Sequence, residues 1–570
     1  YKSLYIRGFI NKKYKVKMKI LSFIAFIIIG ISTNICGQNP GWHMLKPVKD
    51  GPTGISVTKV YSNLLKGKSS TPVVVAVIDS GVDVEHEDLR DVTWVNTDEI
   101  PGNNIDDDNN GYIDDVNGWN FIGGPEGNVD YDTYEVTRLY GKYRYKFDNA
   151  DVNKLSKDDK KLYKKWSKWK DEVESKRKSG ESSLKRVIEF EEGVVNGLNA
   201  VKKALDGKPA TLENLQAIEA EGETITMGKN ILLDQITRGQ EVSDINEFKE
   251  LVLNDMQGQK DYYTGVAKYA YNPDFNPRTI IGDNYEDQTE RYYGNNDVEG
   301  PDARHGTHVA GIIAATRNND VGMDGVADNV RIMSVRTVPN GDERDKDVAN
   351  AIRYAVDNGA SIINMSFGKG YSWEEKVVEN AIKYAEKNDV LLVHAAGNSG
   401  QNNDTTDNFP NDMYKGKGFL FFKGKNKNFK NWLEIGALNY QNGENLSAPF
   451  SNYGAKNVDL FAPGMAIYST TPDDNYEPLQ GTSMAAPVVA GVAALLRSYY
   501  PALTAVQVKN ILMASSTKLS QQVIIPGTED DKTSFSKLSV SGGTVNAEKA
   551  LKLAAKTKGK KKIKKTQPRA

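Results

Sequence analysis

From residue 71 onward, short apolar runs alternate with stretches in which apolar residues recur every three or four positions. VVVAVI (73–78), VRIMSV (330–335), SIINMSF (361–367), VLLVHAA (390–396) and WLEIGAL (432–438) carry chiefly apolar side chains on both faces, the pattern of strands covered above and below. THVAGIIAAT (307–316), DVANAIRYAVDNG (347–359) and WEEKVVENAIKYAEKN (373–388) read as helices, the second stopped by a glycine. This alternation predicts a doubly wound, mostly parallel α/β sheet, in which active groups gather beyond the carboxyl ends of the strands. VVAGVAALL (488–496) has no polar face and predicts a helix buried all round, with Pro487 tolerated early in it.

Residues 140–275 break the rhythm. They are rich in Lys and Glu, and Leu162, Trp166, Trp169 and Val173, then Val187, Val194, Leu198, Val201 and Leu205, recur at helical spacing. The pattern predicts helices with one apolar face, inserted into the α/β domain as a structural cap, a partner-binding surface, a cover for the site or a folding aid. The expected division is an export signal over 1–37, the two parts of the α/β domain over 38–139 and 276–555, the insert over 140–275, and a disordered basic tail over 556–570.

The chain has 570 residues, of which 39% are hydrophobic and 26% charged, enough to bury a sizeable core. A net charge of −2 gives no global field toward nucleic acid or anionic lipid. Lys12, Lys13, Lys15, Lys17 and Lys19 precede ILSFIAFIIIGIS (20–32), a run too short to span a bilayer but the length of a signal-peptide core. Met18 is a candidate start, and export to the periplasm or the extracellular space is expected, without stable membrane insertion once the signal is cleaved. Cleavage after Gly37 removes Cys36, the only cysteine; as a lipid-anchor site Cys36 is disfavoured by the bulk of Ile35 before it.

Four residues are placed where chemistry is done. Asp79 ends the first strand, where a carboxylate must find a donor or lose its charge; phosphoacceptor, metal-ligand and ribose-binding roles share that position. In HGTHVAG (305–311), His305 opens a small-residue helix. The His-x-x-His spacing lacks further zinc ligands, and His308 reads as a core residue. In HAAGNSG (394–400), the Asn398 amide stands at a strand end, as either a turn residue or a donor over the sheet edge, while His394 reads as core packing. In GTSMAAP (481–487), Ser483 stands at a helix start, as an N-cap or as a nucleophile beside unpaired N–H groups.

Taken together, DSG, HGTHVAG, the Asn398 turn and GTSMAAP resemble the subtilisin-like serine proteases, over roughly residues 41–135 and 295–515. The resemblance implies Ser483 as nucleophile, His305 as general base and then acid, Asp79 as the carboxylate that orients the imidazole, and Asn398 with the Ser483 N–H as the oxyanion hole. It implies polypeptide substrates, with Ser366, Phe367 and Gly368 as the edge that pairs with an extended peptide and Ala395, Ala396 and Gly397 as a wall of the pocket before the cut. Broad endopeptidase specificity follows from backbone pairing.

Calcium is the expected metal. DDDNNGYIDD (106–115) puts Asp106, Asp108, Asn110 and Asp114 at alternating positions with Gly111 at the turn, like the start of an EF-hand loop, though Asn117 stands where that loop has a bidentate Glu. Asp88 resembles a further calcium ligand of the family, with the loop near Asn319 as its partner. Three departures stand out. Only residues 38 to about 70 are available for the family's folding-assistant propeptide, 226 positions separate Asp79 from His305, and FLFFKGKNKNFKNW (419–432) follows no family pattern. The insert is expected to have taken over folding assistance or substrate selection. The alternative is an exported peptide- or glycan-binding protein on an inactive protease scaffold.

Overall fold

The computed structural model describes residues 40–47, 53–219, 222–416 and 426–560. The expected export signal with Cys36, residues 417–425 with the first part of the lysine-rich aromatic loop, and tail residues 561–570 lie outside them. The chain divides into two compact units, one containing Lys170–Asn272 and the other Asn39–Trp169 with Pro273–Ala570.

In the larger unit nine strands form one sheet. They are β1 (Val73–Asp79), β2 (Gly118–Asn120), β3 (Val330–Arg336), β4 (Ile362–Met365), β5 (Leu391–Ala395), β6 (Trp432–Leu438), β7 (Leu460–Pro463), β8 (Thr517–Lys518) and β9 (Gly543–Thr544). Their order is β8-β9-β7-β6-β5-β4-β1-β3-β2, parallel throughout except for β8 against β9. All five strands read from the sequence are present. The run 361–367 is strand only to Met365, which leaves Ser366–Gly368 beyond the sheet edge.

The helices used below are α1 (Glu135–Phe147), α2 (Lys157–Leu205), α3 (Glu223–Thr237), α4 (Ile245–Thr264), α5 (Arg304–Ala314), α6 (Asp345–Asp357), α7 (Glu375–Lys387) and α8 (Thr482–Tyr499). A strand's two-residue period feeds two cores. Val73, Val75 and Val77 pack in one with α5 and α8, and Ala76 and Ile78 pack in the other with α6 and α7. Both faces are therefore covered, as the apolar runs require.

The first core also takes in Trp42, Ile55, Val57 and Val60, all fully buried. These residues, from the stretch too short for a propeptide, thus belong to the α/β unit's own interior. Helix α8 is buried from Thr482 to Ser498. Pro487 lies inside it and has no N–H, so the carbonyl of Ser483 loses its helical donor; the Ser366 hydroxyl replaces that donor at 2.8 Å.

In the smaller unit the expected apolar face is real. Val187, Val194, Leu198, Val201 and Leu205 of α2 are buried with Ile231 and Leu232 of α3 and Val252 and Met256 of α4. Two glycines let α2 and α3 touch, since a Cβ on Gly228 would lie 2.2 Å from the Gly197 carbonyl. Tyr140, Phe147, Tyr163 and Trp166 form an aromatic cluster in the larger unit, so the compact helical body is narrower than the polar stretch 140–275 suggested. Among the described residues no helix is long and apolar enough to cross a membrane.

Candidate active site

Strand β1 delivers Asp79, 2% exposed, to the carboxyl edge of the sheet. Its Oδ1 accepts the Ser80 N–H at 2.8 Å and lies 2.6 Å from Nδ1 of His305 in the first turn of α5. A buried carboxylate only accepts, so Nδ1 carries the proton and Nε2 of the neutral ring is left as an acceptor. The approach depends on Gly306, where a Cβ would lie 2.0 Å from the Gly81 carbonyl and 3.2 Å from Asp79 Cβ. Burial pulls the His305 imidazole down, but the charge and hydrogen bond of Asp79 outweigh it and hold the ring above its ordinary 6.5. The ring stays 39% exposed and so can meet a ligand.

Ser483 is reached through the neighbouring strand. Ile78 of β1 is in register with Met365 of β4, so Ser366 follows beside Asp79, one strand spacing away. The Ser483 hydroxyl donates to the Ser366 carbonyl at 3.0 Å, while the Ser366 hydroxyl, held by Asn364 at 2.9 Å, donates to the Ser483 carbonyl. The two serines are latched to each other, and the Ser483 hydroxyl points to Ser366 rather than to His305.

Asn398 follows β5 and is exposed. Its Oδ1 accepts the N–H and the hydroxyl of Thr482 at 2.8 and 2.9 Å, which fixes the amide orientation and turns Nδ2 outward. Asn398 Nδ2 and the Ser483 N–H each lie 3.4 Å from the point where a Gly481 Cβ would sit. Two donors at the start of a buried helix thus flank one space, an arrangement suited to negative charge.

Phe367 and Gly368 leave their backbone groups unpaired among the described residues, as a peptide-pairing edge requires. Ala395 and Ala396 are buried, and Gly397 (φ +107°) ties its N–H to the Thr482 hydroxyl at 3.1 Å. Thr482, which positions both Asn398 and Gly397, was not singled out by any sequence pattern. Nor was Asn408, whose Nδ2 reaches the Ala396 carbonyl at 3.2 Å and whose Oδ1 would lie 2.8 Å from a Gly368 Cβ, so that it touches both walls. Their partners are remote in sequence, so no local pattern marks them. His308 is buried, and burial lowers it to about 3. His394 is also buried, but it pairs with Glu434 at 3.0 Å, beyond plain packing.

The acidic loop is only partly as expected. Carboxylate oxygens of Asp106 and Asp108 lie within 4.8 Å of each other and of Glu99, which the spacing did not reveal. Asp114 turns away, accepting the N–H groups of Gly102 and Asn104 at 2.9 and 2.8 Å, and Asn110 donates to Asp108 and Asp115. Burial raises the Glu99 carboxyl, an effect a cation would offset. Asp88, fully buried, does meet the expected loop, accepting from Asn319 Nδ2 at 2.8 Å and the Met323 N–H at 3.2 Å. The Glu99, Asp106 and Asp108 carboxylates form an oxygen-rich donor set that fits a hard cation such as calcium, whereas both Asp88 oxygens are taken by nitrogen donors.

The pattern of the Subtilase family matches residues 70–533. This chain belongs to the subtilase family. As a subtilase it is a serine endopeptidase acting on polypeptides. It is 36% identical over 219 residues to Subtilisin DY of Bacillus licheniformis, covering 38% of this chain and 71% of that protein. It is 37% identical over 216 residues to Alkaline elastase YaB of Bacillus sp. (strain YaB), covering 38% of this subtilase and 50% of the relative, so the match spans about half of that protein's length. Among solved structures, the prenylagaramide maturation protease PagA is 29% identical over 45% of this chain and 83% of that one, with a TM-score of 0.35.

Proposed function

We propose that this subtilase is an exported endopeptidase that cleaves peptide bonds through an acyl-enzyme, with Ser483 as nucleophile, His305 as base and then acid, Asp79 as the orienting carboxylate, and Asn398 with the Ser483 N–H as oxyanion donors. The reading is carried by the convergence of four distant residues on one sheet edge, above all the 2.6 Å contact of His305 with Asp79 beside the latched Ser483. A substrate lies extended along Ser366–Gly368 with its side chain before the cut against Ala395–Gly397. Rotation about χ1 releases the Ser483 hydroxyl from the Ser366 carbonyl toward His305 Nε2, which takes its proton as the oxygen attacks the peptide carbonyl. The charge that develops on that carbonyl meets donors already in place. Glu99, Asp106 and Asp108 would hold a calcium ion, which would supply positive charge against the mutual repulsion of their carboxylates.

Export is favoured by the lysine-flanked apolar run at 20–32. A fluorophosphonate probe tests the chemistry. The purified protein is expected to be labelled and Ser483→Ala not to be, whereas a folded wild type that resists the probe would return the assignment to a peptide-binding scaffold.

A further inference from the structure

Immediately after the peptide-pairing edge stands Lys369, a lysine whose side chain is 1% exposed. Its ammonium reaches Asp345 Oδ1 at 2.7 Å, Glu135 Oε2 at 3.0 Å and the Glu343 carbonyl at 2.6 Å. These partners come from three separate elements: the first residue of α6, the first residue of α1, and the loop after β3. Each is itself held. Asp345 Oδ2 accepts the Ser372 hydroxyl and the Glu374 N–H at 2.6 and 2.7 Å, and Arg138 bonds both Glu135 and the Glu343 carbonyl. Arg344 with Asp132, and the carboxyl groups of Asp342 and Glu343, complete the charged surroundings. Burial opposes the charge on Lys369, but the facing carboxylates outweigh it and keep the ammonium protonated.

The backbone of Lys369 is pinned as well, exchanging two hydrogen bonds with Phe409 at 2.9 and 2.8 Å. Ser366, Phe367 and Gly368 therefore form a three-residue bridge between two fixed posts, the end of β4 and Lys369. A bridge of three residues reaches only about 10 Å, which leaves little slack. A buried lysine surrounded by carboxylates is a costly way to stabilise a fold, because apolar residues of like volume often do as well.

We propose that Lys369 is a positioning residue for substrate, fixing the course of Ser366–Gly368 so that its free backbone groups meet an extended peptide. Helix α1 takes part through Glu135, so the edge is set partly by a segment lying far outside the family's sequence motifs. This rests on the reading of Ser366–Gly368 as the pairing edge.

The test compares wild type, Lys369→Met and Glu135→Gln on two probes. A small fluorophosphonate reports on Ser483 alone, and a series of peptides extended stepwise upstream of the cut reports on the edge. For Lys369→Met, KM is expected to rise about tenfold on the longest peptides and little on the shortest, with kcat and the labelling rate within about twofold of wild type. Glu135→Gln, which leaves the lysine in place, is expected to shift KM the same way by a smaller factor. A folded Lys369→Met whose KM rises equally for short and long peptides, or not at all, overturns the proposal. If that variant does not fold, an unchanged length dependence in Glu135→Gln overturns it. Failure of wild type to take the label, by contrast, rejects the functional reading beneath it.

Discussion

Asn398 owes its orientation to Thr482. With Oδ1 committed to two donors from that residue, only Nδ2 is free to face a developing oxyanion. Asn398→Ala is expected to lower kcat by about 10²–10³-fold with little change in KM, the cost of losing one such donor elsewhere; an unchanged kcat removes Asn398 from the site. For His305 the sign is set by Asp79. The folded imidazole titrates above 6.5, and catalysis needs it neutral, so kcat/KM is expected to fall as pH drops through that raised value. The same pair contributes to stability below pH 6.5 and loses that contribution as pH rises through the folded value. Asp79→Asn is expected to move the acid limb to lower pH; a limb that stays put dissociates it from His305.

At the scale of elements, the loop from Glu99 to Asp115 gathers more acid than it neutralises. Glu99, Asp106 and Asp108 share one small volume, and burial holds Asp115 up at about 7 while Tyr354, Asn96 and Asn110 bond it. A chelator is expected to lower Tm by several degrees, and added calcium to restore it, rising with the logarithm of ligand concentration above Kd. Asp106→Asn with Asp108→Asn is expected to remove most of that response. A Tm indifferent to chelator and calcium excludes the metal. Helix α8 shows a second element-scale effect: its interior proline frees a carbonyl that the Ser366 hydroxyl satisfies, joining the nucleophile's helix to the substrate edge.

For the molecule as a whole, acid should be the weak flank. His43 is buried with no hydrogen-bond partner for either ring nitrogen among the described residues, and burial lowers it to about 4; His308 is lowered to about 3. Groups depressed on folding leave stability intact above pH 6.5 and remove it as pH falls toward their folded values. Tm is expected to decline between pH 6.5 and 4, and less steeply in His43→Leu. A wild-type Tm that is flat over that range contradicts the burial argument.

The apolar runs determined the sheet without help, because a strand covered on both faces must be apolar on both, and all five runs became strands. The glycine-bracketed Asp79, His305 and Ser483 were legible for a related reason: helices and strands can approach that closely only where side chains are missing. Glu99, Thr482, Asn408 and Lys369 were not legible. Their roles come from partners 7 to 234 positions away, such as Glu99 with Asp106 and Lys369 with Glu135, and a hydrogen bond across the fold leaves no periodic trace along the chain. Nor could spacing tell that Trp42, Met44, Ile55, Val57, Val60 and Leu65 join a core or that Asp114 turns from its neighbours, since both depend on which surfaces meet. Local pattern decides what each segment becomes; only the packed chain decides what each side chain touches.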